Sequence, residues 1–83
     1  MDDDVRSIKK ILDLIEKYSE VKNISENTEI ITSNIIDSFA IIQLIFDLEN
    51  IFQIKIEAQE LNIENFRNAR TIYEFIKKIP KYD

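Results

Sequence analysis

An all-α domain of four helices is what this sequence predicts, and three observations predict it. Apolar residues recur at helical spacing from the N-terminus to residue 18; a nearly continuous apolar run follows the pair Asp37-Ser38; and a capped amphipathic segment ends against the chain's one proline, Pro80. Only Ile54-Lys55-Ile56 alternates as a strand would, and it is short with no obvious partner. The expectation is a single domain over 1–83, with helices at about 3–18, 37–52, 60–66 and 71–79 and a long loop between the first and second.

The first helix follows from Val5, Ile8, Ile11, Leu12, Ile15 and Tyr18, with Lys9, Lys10, Asp13, Glu16 and Lys17 on the other face. Aspartates at its start suit the positive end of the helix dipole. Residues 19–36 have no sustained period and read as a loop, with a short helical turn allowed inside it. Ile24, Ile30, Ile31, Ile35 and Ile36 are too apolar for a solvated segment, so this loop should be pinned to the core.

The second helix starts at Asp37 or Ser38, either of which suits a cap. Ile41, Leu44, Ile45, Leu48 and Phe52 form its expected core stripe, yet Phe39, Ile42, Phe46 and Ile51 leave it apolar almost all round. In so small a domain, part of that surface should face solvent. Phe39, Ile42 and Phe46 are the set from which an exposed partner-binding face would come, with Ile42 assigned to the core. A short helix over 60–66 would turn Leu61 and Phe66 inward. The last helix shows a capping box, Thr71 as N-cap with Glu74 three residues on, and then a stripe of Ile72, Phe75, Ile76 and Ile79.

Composition excludes much chemistry. There is no Cys, no His and no Gly, which removes thiolates, the commonest general base and glycine-rich phosphate loops. Any turn needing positive φ must use another residue, with Asn23, Asn27, Asn34 and Asn68 the candidates. A net charge of −5, from 16 acidic and 11 basic side chains, argues against nucleic acid and for basic protein partners or solubility. Met1-Asp2-Asp3-Asp4 is the reverse of a signal-peptide start, and no apolar run reaches membrane-spanning length. A cytoplasmic protein without membrane insertion is expected.

Glu26, Glu29, Glu57, Glu60 and Glu64 lack metal-loop spacing and read as solvated surface. Lys77, Lys78 and Lys81 gather where the last helix's dipole favours cations and receive no functional role. The residue that stands out is Ser38. A serine where a loop meets a helix has an accessible hydroxyl beside free backbone amides, and that place stabilises a phosphate ester. Taken alone, Asp37-Ser38 before an apolar run reads as a plain helix cap, and only the order of elements and the longer motif favour attachment.

The order of elements and the motif Ile36-Asp37-Ser38-Phe39, followed by Leu44, Leu48-Glu49 and Phe52, resemble the acyl and peptidyl carrier proteins over nearly the whole chain. Asp37-Ser38-Phe39 with Leu48-Glu49-Asn50-Ile51-Phe52 looks most like the D-alanyl carriers and other stand-alone carriers. The resemblance implies an acyl-carrier-protein-like bundle. It implies Ser38 as the attachment site of 4′-phosphopantetheine, which a phosphopantetheinyl transferase takes from coenzyme A. It also implies Asp37 as an acidic residue for the transferase, and Asp47 and Glu49 as docking carboxylates on the second helix. Acidic residues usual after the serine are replaced here by Ala40 and Gln43, which places charge-driven docking in question.

The expected function is a carrier, not an enzyme: it holds an acyl or aminoacyl group as a thioester in an amino-acid-activating or specialised acyl pathway. Its expected partners are a loading enzyme and downstream acyl-transfer enzymes, and a monomer is expected. The alternatives are a housekeeping fatty-acid carrier and, from another class, an unmodified helical adaptor.

Overall fold

The computed structural model describes residues 2–19, 21–31 and 35–81. Among these, three α-helices carry the fold: α1 (Asp2–Ser19), α2 (Ser38–Phe52) and α3 (Ala69–Lys77). The helix expected over 60–66 is instead two 3-10 turns, Ala58–Glu60 and Ile63–Phe66. Asn62 interrupts there: its backbone is extended and its side chain accepts the amide of Glu64. Its neighbour Leu61 is exposed rather than inward, so only Phe66 supplies the buried anchor, too little to support a longer helix.

α1 is the central packing element and touches both α2 and α3, while α3 also packs on the second 3-10 turn. Ile8, Ile11, Leu14 and Ile15 fill its buried face. Val5, expected in that stripe, is exposed, and Leu14, absent from the expected stripe, is buried. From α2 come Leu44 and Leu48, both fully buried, with Ile41, Ile45 and Phe52 packed against the core. Burying each leucine is worth about 1.5–3 kcal/mol relative to exposure. α3 contributes Ala69, Ile72, Tyr73, Phe75 and Ile76, and Phe66 meets Phe75 edge-on at 5.5 Å.

The loop after α1 is sewn to the start of α3. Ile30 N–H donates to Arg67 O at 2.8 Å and Arg70 N–H to Glu26 O at 3.0 Å, while the Arg67 and Arg70 side chains pair with Glu29 and Glu26. Ile30 and Ile36 are buried and Ile24, Ile31 and Ile35 pack beside them, so the pinning expected from composition is present. No helix forms inside the loop among the described residues; a hydrogen-bonded turn at Ser25–Thr28 is the local order. Glu26 and Glu29 are therefore ion-pair partners rather than bare surface.

The start of α3 differs from expectation. Asn68, not Thr71, is the N-cap: its side chain accepts Thr71 N–H at 2.8 Å and Thr71 Oγ1 accepts Asn68 N–H at 3.1 Å. Beginning earlier lets Ala69 enter the core, and asparagine is at least as good a cap as threonine. Glu74 is freed to pair with Arg70 and Lys77.

Without glycine, the left-handed positions among the described residues fall to Asn23 (φ 63°) and Gln53 (φ 56°). Gln53 ends α2 by donating its N–H to Glu49 O. Asn68 is extended, Asn27 is not among the positive-φ residues, and Asn34 lies outside the described residues. Of the short alternating run, Ile54 forms an isolated antiparallel bridge with Lys81, and Ile54 and Ile56 are buried in the core. Among the described residues no helix is long and apolar enough to cross a membrane.

Candidate functional site

The beginning of α2 divides two tasks between neighbouring residues. Asp37 is the N-cap, in extended conformation, and its Oδ1 accepts Ala40 N–H at 2.8 Å. Its carbonyl accepts Ile41 N–H at 3.0 Å, which starts the helical ladder. Ser38 is consequently the first helical residue, exposed, with a hydroxyl that makes no hydrogen bond among the described residues. The ambiguity over which residue caps the helix is settled in favour of Asp37. The amides of Ser38 and Phe39, which the cap carboxylate does not take, stand at the positive end of a 15-residue helix.

Beside Ser38 lies an apolar hollow of about 340 Å³, walled by Ile41, Ile42 and Ile45 of α2 and by Leu61, Ile63 and Phe66 across from them. A second hollow shares Ile42, Ile45 and Leu61 with the first and runs on to Phe46, Lys55 and Glu57. Together they make a groove along α2 with Ser38 at one end. Sequence reasoning found the Ser38 end and one wall, and missed the other wall. Leu61 was expected in the core, but the 3-10 turns rotate it outward, and Ile63 was not singled out at all.

Phe39, Ile42 and Phe46 are 71 %, 50 % and 57 % exposed. Spaced by three and four residues, they form one stripe along α2, of which Ile42 and Phe46 line the groove. Ile42, assigned to the core from sequence, is on this stripe because Ile41 and Ile45 occupy the inward positions beside it. Ile51 is exposed as well.

The two acidic residues of α2 have intramolecular roles. Asp47 accepts a short hydrogen bond from the Tyr18 hydroxyl and stands 3.9 Å from Lys17 Nζ, tying α2 to the end of α1. Donating to that carboxylate raises the Tyr18 pKa, with burial adding to the effect. Glu49 Oε2 accepts Ile56 N–H at 2.8 Å and thereby anchors the connector that follows α2. Neither tie was visible in the sequence, because their partners lie 29 and 7 residues away. Among the described residues no cluster of acidic side chains is arranged to hold a metal.

The chain is similar to a curated protein named D-alanyl carrier protein from Streptococcus uberis (strain ATCC BAA-854 / 0140J), 28 % identical over 72 residues that cover 84 % of this chain and 90 % of that protein. The resemblance seen in the motif around Ser38 is thus joined by a likeness, over most of the chain, to a protein named as a carrier. No family model matches the chain. No solved structure matches it.

Proposed function

We infer that this protein is a phosphopantetheine-dependent carrier, with Ser38 as the point of attachment and cargo held as a thioester. The observation that carries the reading is the hydroxyl of Ser38: exposed, unbonded within the described residues, and released from capping by Asp37. The likeness to a protein named as a carrier supports it.

The residues fit the group. A phosphodiester on Ser38 Oγ would meet the uncommitted amides of the first turn and the helix dipole, and would displace no existing hydrogen bond. When bound, 4′-phosphopantetheine supplies the thiol that a chain without cysteine lacks. The chain's own part is to present Ser38 on a rigid helix start, to hold that start with Asp37, and to offer α2 to partners. Within this reading, Asp37, Phe39, Ile42, Phe46, Asp47 and Glu49 form the docking region. Asp47 and Glu49 contribute by fixing α2 and its connector. The segment Ile63–Phe66 stands in for the short helix of a four-helix carrier bundle. We place the protein in the cytoplasm, as a single-domain monomer that serves a loading enzyme and downstream acyl-transfer enzymes of an amino-acid-activating or specialised acyl pathway.

The experiment is intact-mass spectrometry after incubation with coenzyme A and a broad-specificity phosphopantetheinyl transferase. A gain of one phosphopantetheine on the wild type and none on Ser38→Ala is expected. An unmodified wild type would leave the adaptor reading in possession, since an exposed apolar helix suits that role equally well.

A further inference from the structure

We propose that Asn62 is a positioning residue for the arm carried on Ser38: its Nδ2 donates to the first amide carbonyl of the arm and so seats the arm's inner half in the hollow between α2 and the 3-10 turns. This rests on the carrier reading and deepens it by naming a residue of this chain that acts on the attached group.

Asn62 is held at one end and uncommitted at the other. Its Oδ1 accepts Glu64 N–H at 3.0 Å, which makes the other terminal atom the nitrogen. That Nδ2 makes no hydrogen bond among the described residues. The side chain lines the same hollow as Ser38, together with Ile42, Ile45, Leu61 and Ile63. Capping needs only the oxygen, which serine or aspartate would supply as well, so the nitrogen is surplus to the fold.

The arm offers what the hollow lacks. Beyond its phosphate, 4′-phosphopantetheine runs through a carbon bearing two methyl groups to a hydroxyl and then an amide. Isoleucine and leucine walls suit the methyl groups, and about 340 Å³ lies at the small end of the range for ligand pockets, about 300–1,000 Å³. An amide carbonyl that enters so apolar a place costs free energy unless a donor meets it. Of the side chains lining the hollow, Ser38 is consumed by the ester and the Asp37 carboxylate only accepts, which leaves Asn62 as the side-chain donor. The methylenes of a cargo chain, or an apolar side chain of a partner, would leave that donor unanswered. Tethering at Ser38 also holds the arm at high effective concentration beside the hollow.

The experiment is NMR spectroscopy of the isotope-labelled protein, before and after modification with coenzyme A and a broad-specificity phosphopantetheinyl transferase. Expected on modification are a shift of the Asn62 side-chain amide signals and cross-peaks from the arm's two methyl groups to those of Ile42 and Ile63. Asn62→Asp keeps the oxygen that caps Glu64 N–H and removes the donor, so its cross-peaks should fall about threefold or more, the effect of one hydrogen bond. Asn27→Asp, which adds the same charge on a loop outside the hollow, should keep the wild-type intensities. The loss in Asn62→Asp should persist as sodium chloride rises from about 0.1 M to about 1 M, where repulsion of the phosphodiester is screened beyond about 3 Å. A modified wild type without these cross-peaks, an Asn62→Asp protein that retains them, or their recovery in high salt overturns the proposal and leaves the carrier reading intact. So do contacts that arise only once a hexanoyl thioester is loaded, or shifts in the hollow that grow with protein concentration, since the occupant would then be the cargo or a second copy. If intact mass shows no phosphopantetheine on Ser38, both readings fall.

Discussion

Replacing Asn68 by Ala is expected to lower stability by about 1–2 kcal/mol. The side chain is nearly buried and accepts Thr71 N–H at 2.8 Å, and losing a cap bond of this kind costs about 1 kcal/mol. The reciprocal bond from Asn68 N–H to Thr71 Oγ1, at 3.1 Å, depends on the same local geometry and can add up to about 1 kcal/mol more. For a domain of this size each kcal/mol moves Tm by about 4–8 °C, so a drop of about 4–16 °C is expected. Urea titration followed by circular dichroism, together with a thermal melt, measures both. Asn68→Asp, which keeps an acceptor oxygen in place, should recover most of the loss. Were Asn68→Ala to cost under about 0.3 kcal/mol while Thr71→Val and Glu74→Ala carried the loss, α3 would begin at Thr71 and the described capping would be refuted.

Leu48→Ala removes a fully buried side chain where α2 meets the core, and should cost about 2–5 kcal/mol in the same titration. Ser38→Ala should stay within about 0.5 kcal/mol of wild type while abolishing modification, whereas Asp37→Ala should cost about 1 kcal/mol; a large loss from Ser38→Ala would mean that its hydroxyl supports the fold. Tyr73 donates to Asp4, which pushes its pKa from the ordinary 10.0 up to about 12, with burial adding to the rise. A folded-state pKa raised above the unfolded one contributes stability that is full below pH 10 and fades as pH climbs through about 12. Asp4, held below its ordinary 3.8 first by that same bond, contributes in the opposite sense, losing its share as pH falls below that value. Denaturant midpoints measured across the alkaline range should therefore fall more steeply in wild type than in Tyr73→Phe, and parallel curves would count against the Tyr73–Asp4 tie.

Much of this was legible in sequence because it is local. Ile8, Ile11 and Ile15 obey a helical period, and Asp37-Ser38 before an apolar run marks a helix start wherever it occurs. Val5 obeys the same period yet is exposed, since periodicity gives the direction of a side chain but not how far the core extends to meet it. Thr71 and Glu74 satisfied the spacing of a capping box. The stronger reason for an earlier start, burial of Ala69, depends on what α3 packs against. The site shows the same division. Ser38 was found from its neighbours in the chain, but the second wall of the groove depends on how Asn62 turns Leu61 and Ile63. Likewise, the commitment of Asp47 depends on a tyrosine one helix away. Non-local pairings of this sort leave no pattern in a window of sequence.

The division of labour between Asp37 and Ser38 has a practical consequence. Because the aspartate alone holds the helix start, position 38 accepts a different side chain without disturbing the backbone around it. The chain contains no other thiol, so Ser38→Cys would create a single addressable sulfur at a helix N-terminus, where the thiolate is favoured and reactive at neutral pH. Alkylating reagents carrying a spin label, a fluorophore or a cargo mimic would then load the protein at one defined point, with no transferase and no coenzyme A.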